Sequence, residues 1–375
     1  MSLGTRRNLV DRWRAEYTLA GKKERGRILD SLCEAAGWNR KYAMAAIKEL
    51  PALRPKQRRK RKRRYGVNEE AALVKVWKLS DFLASKRLAP FMEEFLEALD
   101  RHEELKLPEP TRSKLITMSA STMDRLLRRH RSSHPRPQSL TRSGPLLKKQ
   151  VKIRLGTEWD DDRPGFCEVD TVAHCGGDLS EGYFFTLSLT DVATGWTECA
   201  PLRHKGQQET LARLKGIVAR MPFELLGVDS DNGSEFMNYH LLKFCEDGKV
   251  KFTRCRPYHK NDQCYIEQKN SSVVRRHAGY GRYDTDKQFG LLTGLYGTLR
   301  LLVNFFEPSI KGKSKAMTPY RRLLASKLLN EEQLRDLEET YLALNPIALR
   351  RELLKTKMEL FELESLVSFL DEATV

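Results

Sequence analysis

The sequence predicts an α/β core, a mixed five-stranded sheet with flanking helices, set between all-α segments. Three observations carry that prediction. From Phe166 the texture changes from basic helical stretches to short β-branched and aromatic runs separated by Gly-containing turns. Between Phe166 and His277 the pattern then reads as three strands, helix, strand, helix, strand, helix. Charge is also segregated: residues 1–150 carry 36 Lys/Arg against 17 Asp/Glu, whereas residues 151–290 carry 19 against 21. A basic front attracts a polyanion, and a near-neutral middle with clustered carboxylates suits chemistry better than bulk attraction.

Residues 1–53 are expected to form an N-terminal DNA-binding domain. Residues 24–50 read as two helices broken at Gly37, with Ile28, Leu29, Leu32 and Cys33 as one apolar stripe. Tyr42, Ala43, Ala46, Ile47 and Leu50 form the next stripe. A short Gly-containing turn before a helix opening with Asn39-Arg40-Lys41 is the pattern of a helix-turn-helix, in which Asn39, Arg40 and Lys41 would contact DNA. The competing reading is an ordinary helical hairpin.

Residues 54–67 read as a basic linker, because nine of the eleven positions from Arg54 to Arg64 are Lys or Arg. Such a run repels itself until it meets phosphate, so Arg58, Arg59, Lys60, Arg61 and Arg63 are candidate DNA contacts. Residues 68–131 are expected to be a second helical DNA-binding domain. Within it Lys114–Arg131 reads as another helix-turn-helix, its last helix opened by a capping box at Ser121–Asp124. Met123, Leu126 and Leu127 lie on one side of that helix, and Arg125 and Arg128 are its candidate DNA contacts. The alternative is a basic surface helix packed on the first domain. Ser132–Leu146, rich in Pro and Ser, marks a linker over residues 132–160.

In the core, residues 161–290, strands are expected at Phe166–Ala173, Tyr183–Thr190, Gly195–Leu202, Leu225–Asp229 and Val250–Cys255. Helices are expected at Gln207–Arg220 and Tyr239–Glu246, with a closing helix from about Asp262 to His277. This order is that of the ribonuclease-H-like fold. Residues 291–375 read as a helical C-terminal region with an assembly role: Leu291–Phe306, a basic loop, then a Leu-rich stretch that Pro346 interrupts. No apolar run approaches the ~20 residues of a membrane span, and the N-terminus lacks the apolar segment of a secretory signal. Seven cysteines without C-x-x-C spacing argue against a disulfide framework and a zinc site. A reduced cytoplasm, with the protein on the nucleoid, is the simple expectation.

Three acidic residues sit in distinctive words: Cys167-Glu-Val-Asp170-Thr-Val, Asp229-Ser-Asp231-Asn-Gly-Ser-Glu-Phe236, and Asn261-Asp-Gln-Cys-Tyr-Ile-Glu267-Gln-Lys-Asn270. Thirty-five residues separate Asp231 from Glu267. That grammar resembles the DDE catalytic core shared by retroviral integrases and bacterial insertion-sequence transposases with an integrase-type (rve) core. The likeness extends to Gly37-Trp-Asn-Arg-Lys-Tyr42, Ser119-Ala-Ser-Thr-Met-Asp-Arg-Leu-Leu127, Arg256-Pro-Tyr-His-Lys-Asn-Asp262 and Val303-Asn-Phe-Phe-Glu-Pro-Ser309. Unlike retroviral integrase, the chain has no N-terminal His/Cys zinc module.

The resemblance implies catalytic and metal-binding roles for Asp170, Asp231 and Glu267, with two Mg²⁺ ions per site and Mn²⁺ as a substitute. Asp170 would bridge both ions, Asp231 would hold one and Glu267 the other. It also implies double-stranded DNA as partner, both element ends and target, and a homo-oligomer on that DNA; an accessory ATPase stays open. Water attack would free a 3′-hydroxyl that then attacks target DNA. His259, Lys260, Lys269 and Arg275 are candidates to hold the DNA end, though side chains so spaced along one helix cannot all share the face of Glu267. Asp229, Glu168, Asp191, Asp262 and Glu235 compete as acids and read individually as solvated or capping carboxylates. His174, His259 and His277 read better as phosphate contacts than as general acids or bases. Two further readings remain beside transposition: a catalytically silent DNA-binding regulator, and a ribonuclease-H-like nuclease that cuts without joining.

Overall fold

The structure is a computed structural model that describes residues 3–49, 64–131, 162–178, 180, 182–231, 233–254, 264–312 and 314–373. Arg58, Arg59, Lys60, Arg61, Arg63, the Ser132–Leu146 linker, His259, Lys260 and Asp262 lie outside those residues. The chain divides into two compact units, Met1–Arg64 and Tyr65–Val375.

The described residues of the first unit form three helices: α1 (Leu3–Leu19), α2 (Lys22–Ala36) and α3 (Arg40–Glu49). Gly37 ends α2 in the left-handed region at φ 68°, and its N–H closes onto the Cys33 carbonyl. Asn39 then caps α3 by accepting the Tyr42 N–H at 2.8 Å. The apolar stripes of the sequence predict helices only over residues 24–50; α1 is an addition. Val10, with the half-buried Leu9, Trp13 and Tyr17, completes a core that Leu29, Leu32, Ala43 and Ile47 could not close alone.

The second unit opens with α4 (Val67–Leu79), α5 (Ser85–Arg101), α6 (Glu109–Ile116) and α7 (Ala120–Leu127). The expected capping box at Ser121–Asp124 is corrected: the N-cap is Ser119, whose hydroxyl accepts the Thr122 N–H. Starting the helix there turns Met123 and Leu127 fully inward, and Asp124 pairs instead with Arg131 at 2.6 Å. Leu73, Phe91, Phe95, Leu115, Met123 and Leu127 belong to one continuous core with the sheet residues Val169, Leu187 and Leu189.

That sheet has five strands: β1 (Phe166–Ala173), β2 (Phe185–Asp191), β3 (Thr197–Leu202), β4 (Gly227–Ser230) and β5 (Lys251–Arg254). Their order is β3-β2-β1-β4-β5. The first three strands form an antiparallel meander, and β4 and β5 add in parallel beside β1. Helices α8 (Gln207–Val218) and α9 (Tyr239–Asp247) supply the crossovers, completing the ribonuclease-H-like order. β3 is an edge strand, yet every residue in it is buried. The reason is α12 (Asp286–Phe306), which packs along it. Asn304 on this helix accepts the Thr197 N–H and donates to the Thr197 carbonyl, both at 2.9 Å, so a side-chain amide stands in for a sixth strand.

The closing helix is α10 (Cys264–Lys269), continued through a π-helical turn, Asn270–Arg275, into α11 (Arg276–Ala278). After α12 come α13 (Pro319–Ser326), α14 (Glu331–Ala343) and α15 (Pro346–Ala373). Pro346 does not break a helix but opens α15, where a missing N–H costs nothing. α15 packs on α12 and reaches α5. Glu104 is bound by Asn345 and Arg351, and Glu94 by Arg321, so ion pairs tie the α4–α7 helices to the tail.

α12 amends one expectation. It has 21 residues and is apolar enough by length and composition to cross a membrane. It is instead a core helix, with 61% of its most apolar window buried inside the fold against β3 and α15.

Candidate active site

Parallel pairing of β1 with β4 runs to Val169 opposite Ser230. Asp170 and Asp231 are each the next residue, so register alone sets them side by side at the end of β4. A buried carboxylate brings in the third acid. Glu168, fully buried in β1, accepts the Ile266 backbone N–H at 2.8 Å, which fixes α10 across the strand one residue before Glu267. Three residues beyond Glu267, the Asn270 amide donates to Asp170 Oδ2 at 2.7 Å and accepts from Ser188 Oγ at 2.5 Å. The π-turn begins at this asparagine; such turns inside helices often mark functional sites.

Burial, aided by the charges of Asp231 and Glu267, pushes the Asp170 carboxyl up to about 6 against the pull of the Thr171 N–H and the Lys205 ammonium. The charges of Asp231 and Glu267 thus both reach Asp170 at one end of the sheet. They do not close into a ready ligand shell: among the described residues no three His, Cys, Asp or Glu side chains form a group that could hold a metal ion. Asp170 Oδ1 is taken by the Thr171 N–H at 2.7 Å, and Asp231 Oδ1 by the Gly233 N–H at 3.0 Å.

The competing acids have other partners. Asp229 accepts the Thr253 hydroxyl at 2.6 Å, inside the β4–β5 pair. Asp191 caps a turn, taking the Gly165 N–H and both the N–H and hydroxyl of Thr194. Glu235 departs from the expectation of a solvated or capping carboxylate. Its side chain is 4% exposed and binds the Lys205 ammonium at 2.8 Å and the Thr171 hydroxyl at 3.0 Å. A Cβ at Gly233 would meet Glu235 Oε2 at 2.6 Å and Asp231 Oδ1 at 2.9 Å, so a side chain there would displace these carboxylates from their present positions.

The basic candidates divide. Lys269 turns away from the acids: its ammonium lies near Gly195, and burial lowers its pKa to about 8, with Glu307 attracting it and Arg322 repelling it. Arg275 donates to the Ala173 carbonyl at 2.8 Å and sits over the Tyr280 ring. Neither is displayed as a free phosphate contact. Arg40 pairs with Asp30, whereas Lys41 is exposed at the start of α3. Arg125 and Arg128 are exposed on and just after α7. Burial holds His174 and His277 neutral, each pushed down to about 3.

Asn270, Glu168 as a tether, and the Lys205–Glu235–Thr171 group were not assigned these roles from sequence. For Asn270 a signal existed, since three residues past Glu267 is the same helical face. For Lys205 none did.

The integrase core domain family model matches residues 161–260. Uncharacterized protein y4rM of Sinorhizobium fredii (strain NBRC 101917 / NGR234) is 40% identical over 317 residues, covering 84% of this chain and 90% of that protein. A stretch of 96 residues is 27% identical to the Pro-Pol polyprotein of feline foamy virus, 26% of this chain and 8% of the polyprotein. Among solved structures, the HTLV-2 integrase catalytic core domain in complex with magnesium aligns with 40% of this chain and 94% of its own, at 14% identity and TM-score 0.30. The BIV integrase catalytic core aligns with 44% and 95%, at 15% identity and TM-score 0.31.

Proposed function

Because the chain belongs to the family of transposases and integrases built on the integrase core domain, we propose that it is a DNA transposase. It binds the terminal inverted repeats of its own mobile element, cleaves the 3′ ends and transfers them into target DNA. The observation that carries this reading is Asp170, half-buried, held by Asn270, and raised to about 6 by desolvation together with the charges of Asp231 and Glu267. Carboxylates crowded in this way favour a cation, and the oxygen-only donor set suits Mg²⁺ or Mn²⁺. When bound at Asp170, Asp231 and Glu267, a pair of such ions supplies activation of the attacking oxygen and stabilisation of the leaving one.

The protein's own part is positioning. Glu168 fixes the helix carrying Glu267, Asn270 orients Asp170, and the β1–β4 register sets Asp231 next to it. His174 and His277 are buried and neutral, so neither serves as a proton carrier at the acids. Lys41 at the head of α3, the basic linker, and Arg125 and Arg128 supply the attraction to DNA, which the protein engages in the cytoplasm as a homo-oligomer.

The test incubates labelled duplex copied from the DNA flanking the coding region with a plasmid target and Mg²⁺ or Mn²⁺. Wild type is compared with Glu267→Gln, which removes one charge and keeps the shape. Joined products from wild type and none from the variant support the proposal. Cleavage without joining would favour a nuclease, and equal DNA binding with no chemistry by either protein would favour a regulator.

A further inference from the structure

β3 ends at Leu202, and the chain enters α8 through Arg203-His-Lys-Gly206. This loop is pinned. The Glu209 carboxylate accepts the Arg203 and His204 N–H groups at 3.0 and 3.2 Å, and the Gly206 N–H donates to His204 Nδ1 at 3.1 Å. Lys205 is thus presented from a fixed backbone. Its ammonium meets Glu235 Oε1 at 2.8 Å and lies 5.3 Å from the Phe185 ring centroid. That same Glu235 oxygen accepts the Thr171 hydroxyl, and the Thr171 N–H binds Asp170, so one short chain of contacts links the lysine to the central acid.

A lysine whose only task was to neutralise buried Glu235 could be buried with it. Instead 41% of its side chain is exposed while Glu235 is 4% exposed. An ammonium carries three donors, and Glu235 takes one. Of the cations expected from sequence, Lys269 and Arg275 are turned into the fold, and Lys260 lies outside the described residues.

We propose that Lys205 contacts a phosphate of the DNA strand held at Asp170, Asp231 and Glu267, with Glu235 and Thr171 as the positioning residues of its cradle. The inference rests on the function proposed above. A phosphate approaching the acids offers oxygens to the remaining ammonium donors, and the charge that develops during strand cleavage strengthens that contact.

The experiment uses the full chain, Mn²⁺ and the flanking-DNA duplex under single-turnover conditions, with thermal melting recorded for every protein. The neutral pair Lys205→Met with Glu235→Gln removes both charges, so no buried acid is stranded. Lys205→Gln is the second variant, and Lys205→Arg keeps charge and reach. The expected result is nicking about 10- to 100-fold slower at saturating DNA in both neutral variants, at unchanged melting temperature in the pair, with Lys205→Arg near the wild-type rate. Wild-type rates in the neutral variants would overturn this inference alone. Inert wild type, or nicking indifferent to Glu267→Gln, would overturn the proposed function and this contact with it.

Discussion

The Asn270 amide holds the Asp170 carboxylate from one hundred residues away in sequence, Nδ2 to Oδ2 at 2.7 Å, while its own oxygen is held by Ser188. One side chain thereby joins the closing helix, the first strand and the second. A carboxylate with a fixed orientation loses less freedom on meeting a cation or a phosphate-bound ion.

Asn270→Ala removes a charge-assisted hydrogen bond of about 1.5–3 kcal/mol. If that orientation is used in the reaction, strand cleavage falls about 10- to 100-fold. Single-turnover cleavage beside thermal melting checks this, and a rate within twofold of wild type would refute it.

Asp170 gives a signed pH prediction. Its folded pKa, about 6, lies above the ordinary 3.8, so the folded state binds a proton in a window where the unfolded chain has released it. The ionised group thus opposes folding above about pH 6, and that opposition fades as pH falls toward 4. Asp170→Asn should raise metal-free stability at pH 7.5 by about 1–2 kcal/mol, discounted for partial exposure. The gain should vanish near pH 4, as read by chemical denaturation at both pH values. A gain independent of pH would mean the charge is not its source.

Asn304→Leu leaves the Thr197 N–H and carbonyl buried without their partner. We expect a loss of about 2–4 kcal/mol in urea unfolding, whereas Asn304→Gln should recover part of it. A loss below 1 kcal/mol, about one ordinary hydrogen bond, would show that α12 does not need this amide to cover the edge.

Lys41 and Lys269 should separate in DNA binding. Lys41→Ala removes an exposed cation at the head of α3, so affinity should drop and the salt slope should decrease by about one. Lys269 is turned into the fold near Gly195, and Lys269→Met should leave both quantities unchanged. Filter binding across a salt series reads the two together; a loss of slope in Lys269→Met would return that residue to the DNA surface.

The sequence alone determined the order of the core elements and even the ends of its first strand, Phe166–Ala173. It placed Asp231 just past the fourth strand and Glu267 on the closing helix, because alternation with period 2 and 3.6, and the turns between, are local properties. It also recorded the charge asymmetry, which needs no fold at all. Only the tertiary structure decided which groups meet. That Lys269 turns inward while Glu267 stays exposed, that Glu168 is a tether, that Glu235 is buried beside Lys205, and that Asn304 covers β3 all depend on contacts between residues far apart in the chain. Periodicity reports which side of an element is apolar. Partners for a polar group on that side are set by packing, since a buried donor or acceptor must find whichever complement the fold brings within reach.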